Sequence, residues 1–124
     1  MDRKKELMDY LDEFIECGKI HGECTLNGDY KKGNEAYSKL EKIIMVAKDS
    51  NQKENFYKLI LNTVIDIDTL TACCAHMLRL DINTKTARIK LKELANNNEI
   101  HPIFKSNAKM FLQEWDKGNI KPIV

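Results

Sequence analysis

The sequence predicts an all-α fold, on three observations. Apolar residues recur with a helical period in almost every segment, and no segment shows the sustained alternation of a β-strand. The apolar pattern also repeats at an offset of 34 residues, as from Leu40 to Cys74. A fixed period in this range is typical of stacked helix pairs. We therefore predict a single α-helical repeat domain over residues 1–124, with about six helices in antiparallel pairs. The preferred arrangement is a short right-handed solenoid of the HEAT or armadillo type, and a closed helical bundle is the alternative.

The first two helices are predicted from their apolar stripes and from the turn between them. The first runs over roughly residues 3 to 25, and the second ends at about Lys48. Gly28 suits a positive φ, and Asp29 stands where an N-cap should accept from the next turn. The stripes expected to face inward are Leu7, Leu11, Phe14, Ile15, Gly18 and Gly22 in the first helix, and Tyr30, Tyr37, Leu40, Ile43, Ile44 and Ala47 in the second.

Four shorter helices follow, each with a start signal or an apolar stripe. Asp66 or Asp68 caps the fourth, Asn83 or Thr84 caps the fifth, and Pro102 begins the sixth, which ends at Gly118. The inward residues are Phe56, Leu59, Ile60 and Val64 in the third helix; Leu70, Cys74, Met77 and Leu78 in the fourth; Ala87, Leu91, Leu94 and Ala95 in the fifth; and Phe104, Ala108, Phe111, Leu112 and Trp115 in the sixth.

The repeat itself relates the second, fourth and sixth helices. Its three units are Leu40, Ile43 and Ile44, then Cys74, Met77 and Leu78, then Ala108, Phe111 and Leu112. The tryptophan, glycine and tyrosine pattern of tetratricopeptide repeats is absent, which favours the HEAT-like arrangement.

Charge and hydropathy disfavour two classes of partner, nucleic acids and membranes. The chain has 20 basic and 19 acidic residues, so it lacks the excess of lysine and arginine that phosphate binding needs. Its N-terminus lacks the apolar core of a signal peptide, and no apolar run approaches the ~20 residues that span a bilayer. We expect a cytoplasmic protein that binds neither nucleic acid nor a membrane.

Cysteine and histidine residues cluster on two helices without forming a zinc pattern. Cys17, His21 and Cys24 share a face of the first helix, and Cys73, Cys74 and His76 lie on the fourth. Structural zinc normally takes two thiolates from a tight turn, whereas adjacent helical cysteines point about 100° apart. We expect no metal and no cofactor, and Cys74 occupies a core position of the repeat.

The polar residues between the first two helices have a catalytic and a structural interpretation. His21, Glu23, Asp29 and Asn34 are suited to acid–base chemistry, but only their proximity in sequence supports it. In the structural interpretation Asp29 caps the second helix, and His21 and Asn34 hydrogen-bond across the first helix pair, next to an inward Tyr30. We assign these residues a structural role, assign no catalytic residue, and predict that the chain is not an enzyme.

Three stretches carry a resemblance to a known family. They are HGECTLNGDYKKGNEAYSKL, CCAHMLRLDINTKTARIKLKELA and AKMFLQEWDKGNIK. Together they resemble a small bacterial family of unknown function whose members look like compact HEAT-like helical domains. The family signature stands at His21, Gly22, Thr25, Gly28, Asp29, Tyr30, Lys31 and Asn34, and its final motif at Ala108, Lys109, Met110, Leu112 and Trp115. Cys24 departs from the usual alanine.

The resemblance implies a function, because such genes often lie beside secreted or contact-delivered toxins. It implies a non-enzymatic immunity protein of contact-dependent growth inhibition that neutralises a cognate bacterial toxin domain and is a monomer without it. Exposed polar and aromatic residues would form the contact, and we select Tyr10, Glu13, Tyr57 and Arg79. The alternative is a small enzyme or ligand-binding domain with a polar site around His21, Glu23, Asp29 and Asn34. A nucleic-acid-binding helical repeat ranks third.

Overall fold

The all-α prediction is confirmed. A computed structural model describes residues 5–123, and within this range it contains six α-helices, one short 3-10 helix and no strand. The 3-10 helix is Leu7–Tyr10, and the α-helices are α1 (Leu11–Asn27), α2 (Tyr30–Lys48), α3 (Lys53–Thr63), α4 (Ile67–Arg79), α5 (Thr84–Ala95) and α6 (Pro102–Asp116).

The joint between α1 and α2 forms as predicted. Gly28 has a φ of 80°, and its backbone N–H donates to the Cys24 carbonyl, which ends α1. The Asp29 side chain then accepts from the backbone N–H of Lys32 and caps α2. The first helix differs from its prediction, because the 3-10 helix replaces its first turns and residues 3 and 4 lie outside the described range.

Helix caps identify which of the alternative start residues is used. Asp66 caps α4 by accepting from the Thr69 backbone N–H at 3.0 Å. Asn83 precedes α5 in the left-handed region, with a φ of 42°, and its side chain makes no capping bond. Pro102 begins α6 as predicted. The sixth helix ends at Asp116, two residues before Gly118, whose φ is 78°.

Helix α4 lies at the centre of the fold. It packs against α1, α3, α5 and α6, while α1 packs with α2 and α5 packs with α6 as hairpins. The repeat is reflected in burial, since eight of its nine positions are buried and Phe111 is partly buried. These contacts establish helix pairs around a central helix. The regular right-handed stacking of a solenoid stays a prediction.

Two aromatic residues of α2 do not face the core, contrary to the prediction. Tyr30 is 79% exposed and Tyr37 is 52% exposed. The first turns of α2 instead bury Gly33 and Ala36, and a Cβ placed at Gly33 would lie 3.1 Å from the Cβ of Cys24. Because α2 approaches α1 this closely, the interface has no room for a tyrosine ring, and the rings lie outside it.

Candidate functional site

His21 is paired with an acidic residue that is distant in sequence. Its Nδ1 lies 2.7 Å from the Oδ2 of Asp68, which is buried in the first turn of α4. An ionised carboxylate only accepts hydrogen bonds, so Nδ1 carries the proton and donates it. The His21 side chain remains 31% exposed. The site is therefore a half-exposed imidazole oriented by a buried carboxylate.

Two glycines of α1 make this pairing possible. A Cβ added at Gly18 would lie 2.9 Å from the Cα of Thr69, and one added at Gly22 would lie 3.0 Å from the Cβ of Asp68. Real Cβ atoms do not approach other atoms at the first of these distances, so α1 and α4 cross at backbone contact. The crossing brings His21, one residue before Gly22, within hydrogen-bonding reach of Asp68.

The environment of His21 favours its protonated form. The pKa of His21 is raised above 6.5, chiefly by the hydrogen bond to Asp68 and further by the charge of that carboxylate, while burial opposes the rise. The ring of Tyr37 lies with its centroid 6.1 Å from that of His21. An imidazolium in this position forms an ion pair that joins α1 to α4.

The predicted pair of His21 and Asn34 is wrong. Asn34 is exposed on the outer side of α2, as is Glu23 on α1 and the capping Asp29. At the start of α2, Gly33 packs against Cys24 of α1 instead, and His21 hydrogen-bonds to Asp68 of α4. Asp68 was missed as a functional partner because no local pattern relates residues 47 positions apart. Asp68 lies in the first turn of a predicted helix, and from the sequence this position indicates only a capping role.

A second polar pair is fully buried between α3 and α4. The Tyr57 hydroxyl lies 2.8 Å from the Nδ1 of His76, and the ring of Phe14 packs edge-on against both. Burial lowers the pKa of His76 to about 3, with a contribution from the positive charge of Arg79, and burial raises the pKa of Tyr57. Both groups are therefore neutral at ordinary pH, and they form a satisfied core hydrogen bond.

The residues predicted to contact a partner lie in different environments. Tyr57 is completely buried, so the expectation that it is exposed is wrong, because its position in α3 faces α4. Arg79 is mostly buried and binds Glu41 of α2 through two hydrogen bonds of 2.7 and 3.2 Å. Tyr10 and Glu13 are half-buried, and both lie close to Lys5.

The four cysteines are free thiols, and all of them are buried. The Cys73 thiol donates to the carbonyl of Tyr57 at 3.3 Å, and burial raises the pKa of Cys73 well above its ordinary value and that of Cys74 to about 12. No group of three or more histidine, cysteine, aspartate or glutamate residues within residues 5–123 is arranged to hold a metal ion. The thiols are core residues.

An exposed aromatic surface runs along α2. We call it the tyrosine face and define it by Tyr30, Asn34, Tyr37, Glu41 and Met45, which share one side of the helix. Tyr30, Tyr37 and Met45 are among the eight large hydrophobic residues that are exposed over the described range, and Met45 is 51% exposed. His21 and Arg79 border this face through Tyr37 and Glu41, respectively.

Comparisons with known proteins identify no relative of this chain. No protein-family model matches the chain, and no curated protein or solved structure shows significant similarity to it. Among the helices of the described residues, none combines the length and the apolar character that crossing a membrane requires.

Proposed function

We propose that this chain is a non-enzymatic protein-binding protein that neutralises a cognate bacterial toxin domain, and that the tyrosine face of α2 is its contact surface. The observation that carries the proposal is the exposure of Tyr30, Tyr37 and Met45 on one side of a single helix. Tyrosine and methionine are enriched in protein interfaces, and clustered tyrosines often supply most of the binding energy.

The geometry of the tyrosine face supports a protein partner. The two tyrosines are seven residues apart on a helix, so their rings lie two turns apart on the same side. A tyrosine ring contributes a large apolar area and a polar hydroxyl at low entropic cost, which suits a flat macromolecular contact. The ion pair of Glu41 with Arg79 holds charged groups in place at the edge of this surface.

The internal polar groups support a structural role for the histidines. His21 is bonded to Asp68, and His76 is bonded to Tyr57. Over residues 5–123, Nε of Arg79 is the one buried side-chain nitrogen or oxygen without a hydrogen-bond partner. Buried polar groups that are satisfied in this way usually fix how helices pack. The family resemblance supports the toxin partner, and the 34-residue repeat together with that resemblance supports the solenoid arrangement. A cytoplasmic location, where the four free thiols would stay reduced, completes the proposal.

The proposal predicts that a neighbouring gene encodes the toxin, and the test is capture of that toxin by the chain and protection of cells against it. The C-terminal fragment of that toxin is co-expressed with the tagged chain, and both complex formation and cell survival are measured. We expect a stable complex and survival for the wild type. Failure to bind or to protect at about micromolar concentration would contradict the proposal.

Variants of the exposed hydrophobic residues locate the surface. Tyr30→Ala with Tyr37→Ala is expected to weaken binding by about a hundredfold, because truncating an interface tyrosine commonly costs about 1–2 kcal/mol or more. Ile89→Ala with Met110→Ala, two exposed residues of α5 and α6, is the matched control and should leave binding within about threefold. If both double variants lose the same amount of binding affinity, the proposal that α2 is the contact surface is wrong.

A second candidate is a small enzyme or ligand-binding domain, and the pair of His21 and Asp68 favours it. A carboxylate that orients an imidazole is a common arrangement for general acid–base catalysis. His21→Gln separates the two functions in the same experiment. Toxin capture with lost protection in this variant would favour chemistry at His21, whereas retained capture and retained protection favour simple masking by the tyrosine face.

A further inference from the structure

A groove lies between α5 and α6, away from the tyrosine face. We call it the basic groove and define it by the residues that line it, which are Arg88, Lys92, Ala95, Asn96, Lys105, Lys109, Leu112, Gln113 and Asp116. Helix α2 packs mainly against α1, so the two surfaces belong to different helix pairs. The basic groove is therefore independent of the contact surface proposed above.

The charges of the basic groove are unbalanced. Four basic side chains line it against a single acidic one, Asp116, and Asp116 is bound by Arg88 through two hydrogen bonds of 2.7 and 3.2 Å. Lys105 donates to Asn98 at the opposite end, towards the loop between the helices. Lys92 and Lys109 take part in no ion pair within the described range, although the charge of Lys92 helps to lower the pKa of Asp116. The lining as a whole therefore keeps an excess of positive charge.

The groove also has an apolar floor. Leu112 is buried, and Ala95 is half-buried beside it. Each helix contributes residues at a spacing of three or four, from Arg88 through Lys92 to Ala95 in α5, so the lining runs along the helices. The 12 residues of α5 extend over roughly 18 Å, which corresponds to about five or six residues of an extended peptide.

We propose that the basic groove binds a short acidic peptide segment of a protein, with its carboxylates against Lys92 and Lys109 and an apolar side chain over Leu112. Charge complementarity selects an acidic ligand, and the apolar floor selects one with hydrophobic side chains. The lining contains no aromatic side chain, so the groove lacks the stacking surface of proteins that bind single-stranded nucleic acid. The net charge of the whole chain is only +1, which also disfavours a phosphate backbone.

The experiment uses the full chain and a fluorescein-labelled hexapeptide of alternating glutamate and leucine. Fluorescence anisotropy is measured at about 50 mM and about 300 mM salt, because exposed charge pairs are screened at the higher concentration. We expect saturable binding that weakens at high salt. Lys92→Glu with Lys109→Glu should weaken the affinity at least about tenfold, since each change replaces attraction with repulsion.

Three controls make the outcome decisive. Lys31→Glu with Lys42→Glu makes the same change of charge on the exposed side of α2 and should leave peptide affinity within about twofold. A glutamine-leucine hexapeptide should bind at least about tenfold more weakly than the acidic one. Circular dichroism confirms that both double variants are folded. The proposal is overturned if the acidic peptide does not bind, if both double variants lose affinity equally, or if a hexanucleotide binds more tightly than the peptide.

Discussion

The Nδ1–H group of His21 donates to Oδ2 of Asp68 across 2.7 Å, and this contact joins the middle of α1 to the first turn of α4. His21 belongs to the α1–α2 hairpin and Asp68 to the central helix α4, so the contact forms only when α1 packs against α4. Because the pKa of His21 is raised in the folded protein, the contribution of this contact to stability depends on pH.

The first prediction concerns that dependence. A histidine whose pKa is higher in the folded state contributes stability that is fully present below the unfolded pKa of 6.5 and is lost as pH rises through the folded pKa. His21→Gln keeps a hydrogen-bond donor but does not titrate. The difference in unfolding free energy between wild type and variant, measured by urea denaturation, should therefore be larger at about pH 6 than at about pH 9. A difference that is constant over this range would contradict the assignment.

The crossing of α1 over α4 gives a second prediction. An added methyl group at Gly18 would contact the backbone of Thr69, so Gly18→Ala should lower the unfolding free energy by roughly 2–3 kcal/mol, despite a gain of up to ~1 kcal/mol in helix propensity. Gly33→Ala is the matched control, because that position is also buried in a helix but meets only the Cβ of Cys24, at 3.1 Å. Thermal and urea unfolding of both variants provides the measurement. Equal unfolding free energies of the two variants would show that α1 and α4 can move apart to accept the added methyl group without loss of stability.

The buried pair of Tyr57 and His76 gives a third prediction. The pKa of His76 falls from 6.5 to about 3 on folding, so the unfolded chain binds a proton in this interval while the folded chain does not. The neutral His76 ring therefore contributes to the unfolding free energy above pH 6.5, and this contribution is lost as the pH falls towards 3.

His76→Asn removes this titration. The variant should be less stable than the wild type at neutral pH, because a buried ring is replaced by a smaller side chain. Below pH 6.5 the stability difference should shrink by up to about 1.4 kcal/mol per pH unit, which is the value for one proton. Parallel stability curves for the two proteins in acid would mean that His76 is solvated.

The buried thiols give a fourth prediction. Cys73 and Cys74 are fully inaccessible and have raised pKa values, so a disulfide reagent at about pH 8 should modify them at least about a hundredfold more slowly in the native protein than in urea. Mass spectrometry of the labelled protein identifies which thiols react first. Rapid modification of either cysteine under native conditions would be incompatible with its place in the core.

Local rules predicted most of the fold. Gly28 and Asp29 end and start helices through their own backbone and side-chain geometry, and Pro102 starts α6, so these boundaries follow from nearby residues. The 34-residue offset correctly found buried positions in α2, α4 and α6. In stacked helix pairs, the apolar side of each helix is buried against a neighbouring helix. The central position of α4 was not predictable, since helical periodicity shows which side is apolar and not which helix covers it.

The candidate site was predicted less well, for the same reason. The sequence predicts a structural hydrogen bond between His21 and Asn34, but the partner of His21 is Asp68, and sequence alone contains no spacing rule for a contact between α1 and α4. Tyr30 and Tyr37 lie at the edge of the apolar stripe of α2, where the small residues Gly33 and Ala36 decide which side packs. The sequence predicts Tyr57 as an exposed polar and aromatic contact residue, whereas the ring is buried and hydrogen-bonds to His76.

The central position of α4 predicts that the two terminal hairpins depend on each other for stability. Excision of the α5–α6 hairpin would uncover one side of α4, and excision of the α1–α2 hairpin would uncover another. Either truncation would expose apolar residues that are now buried, so we expect an unfolded or aggregating chain instead of a shorter working domain.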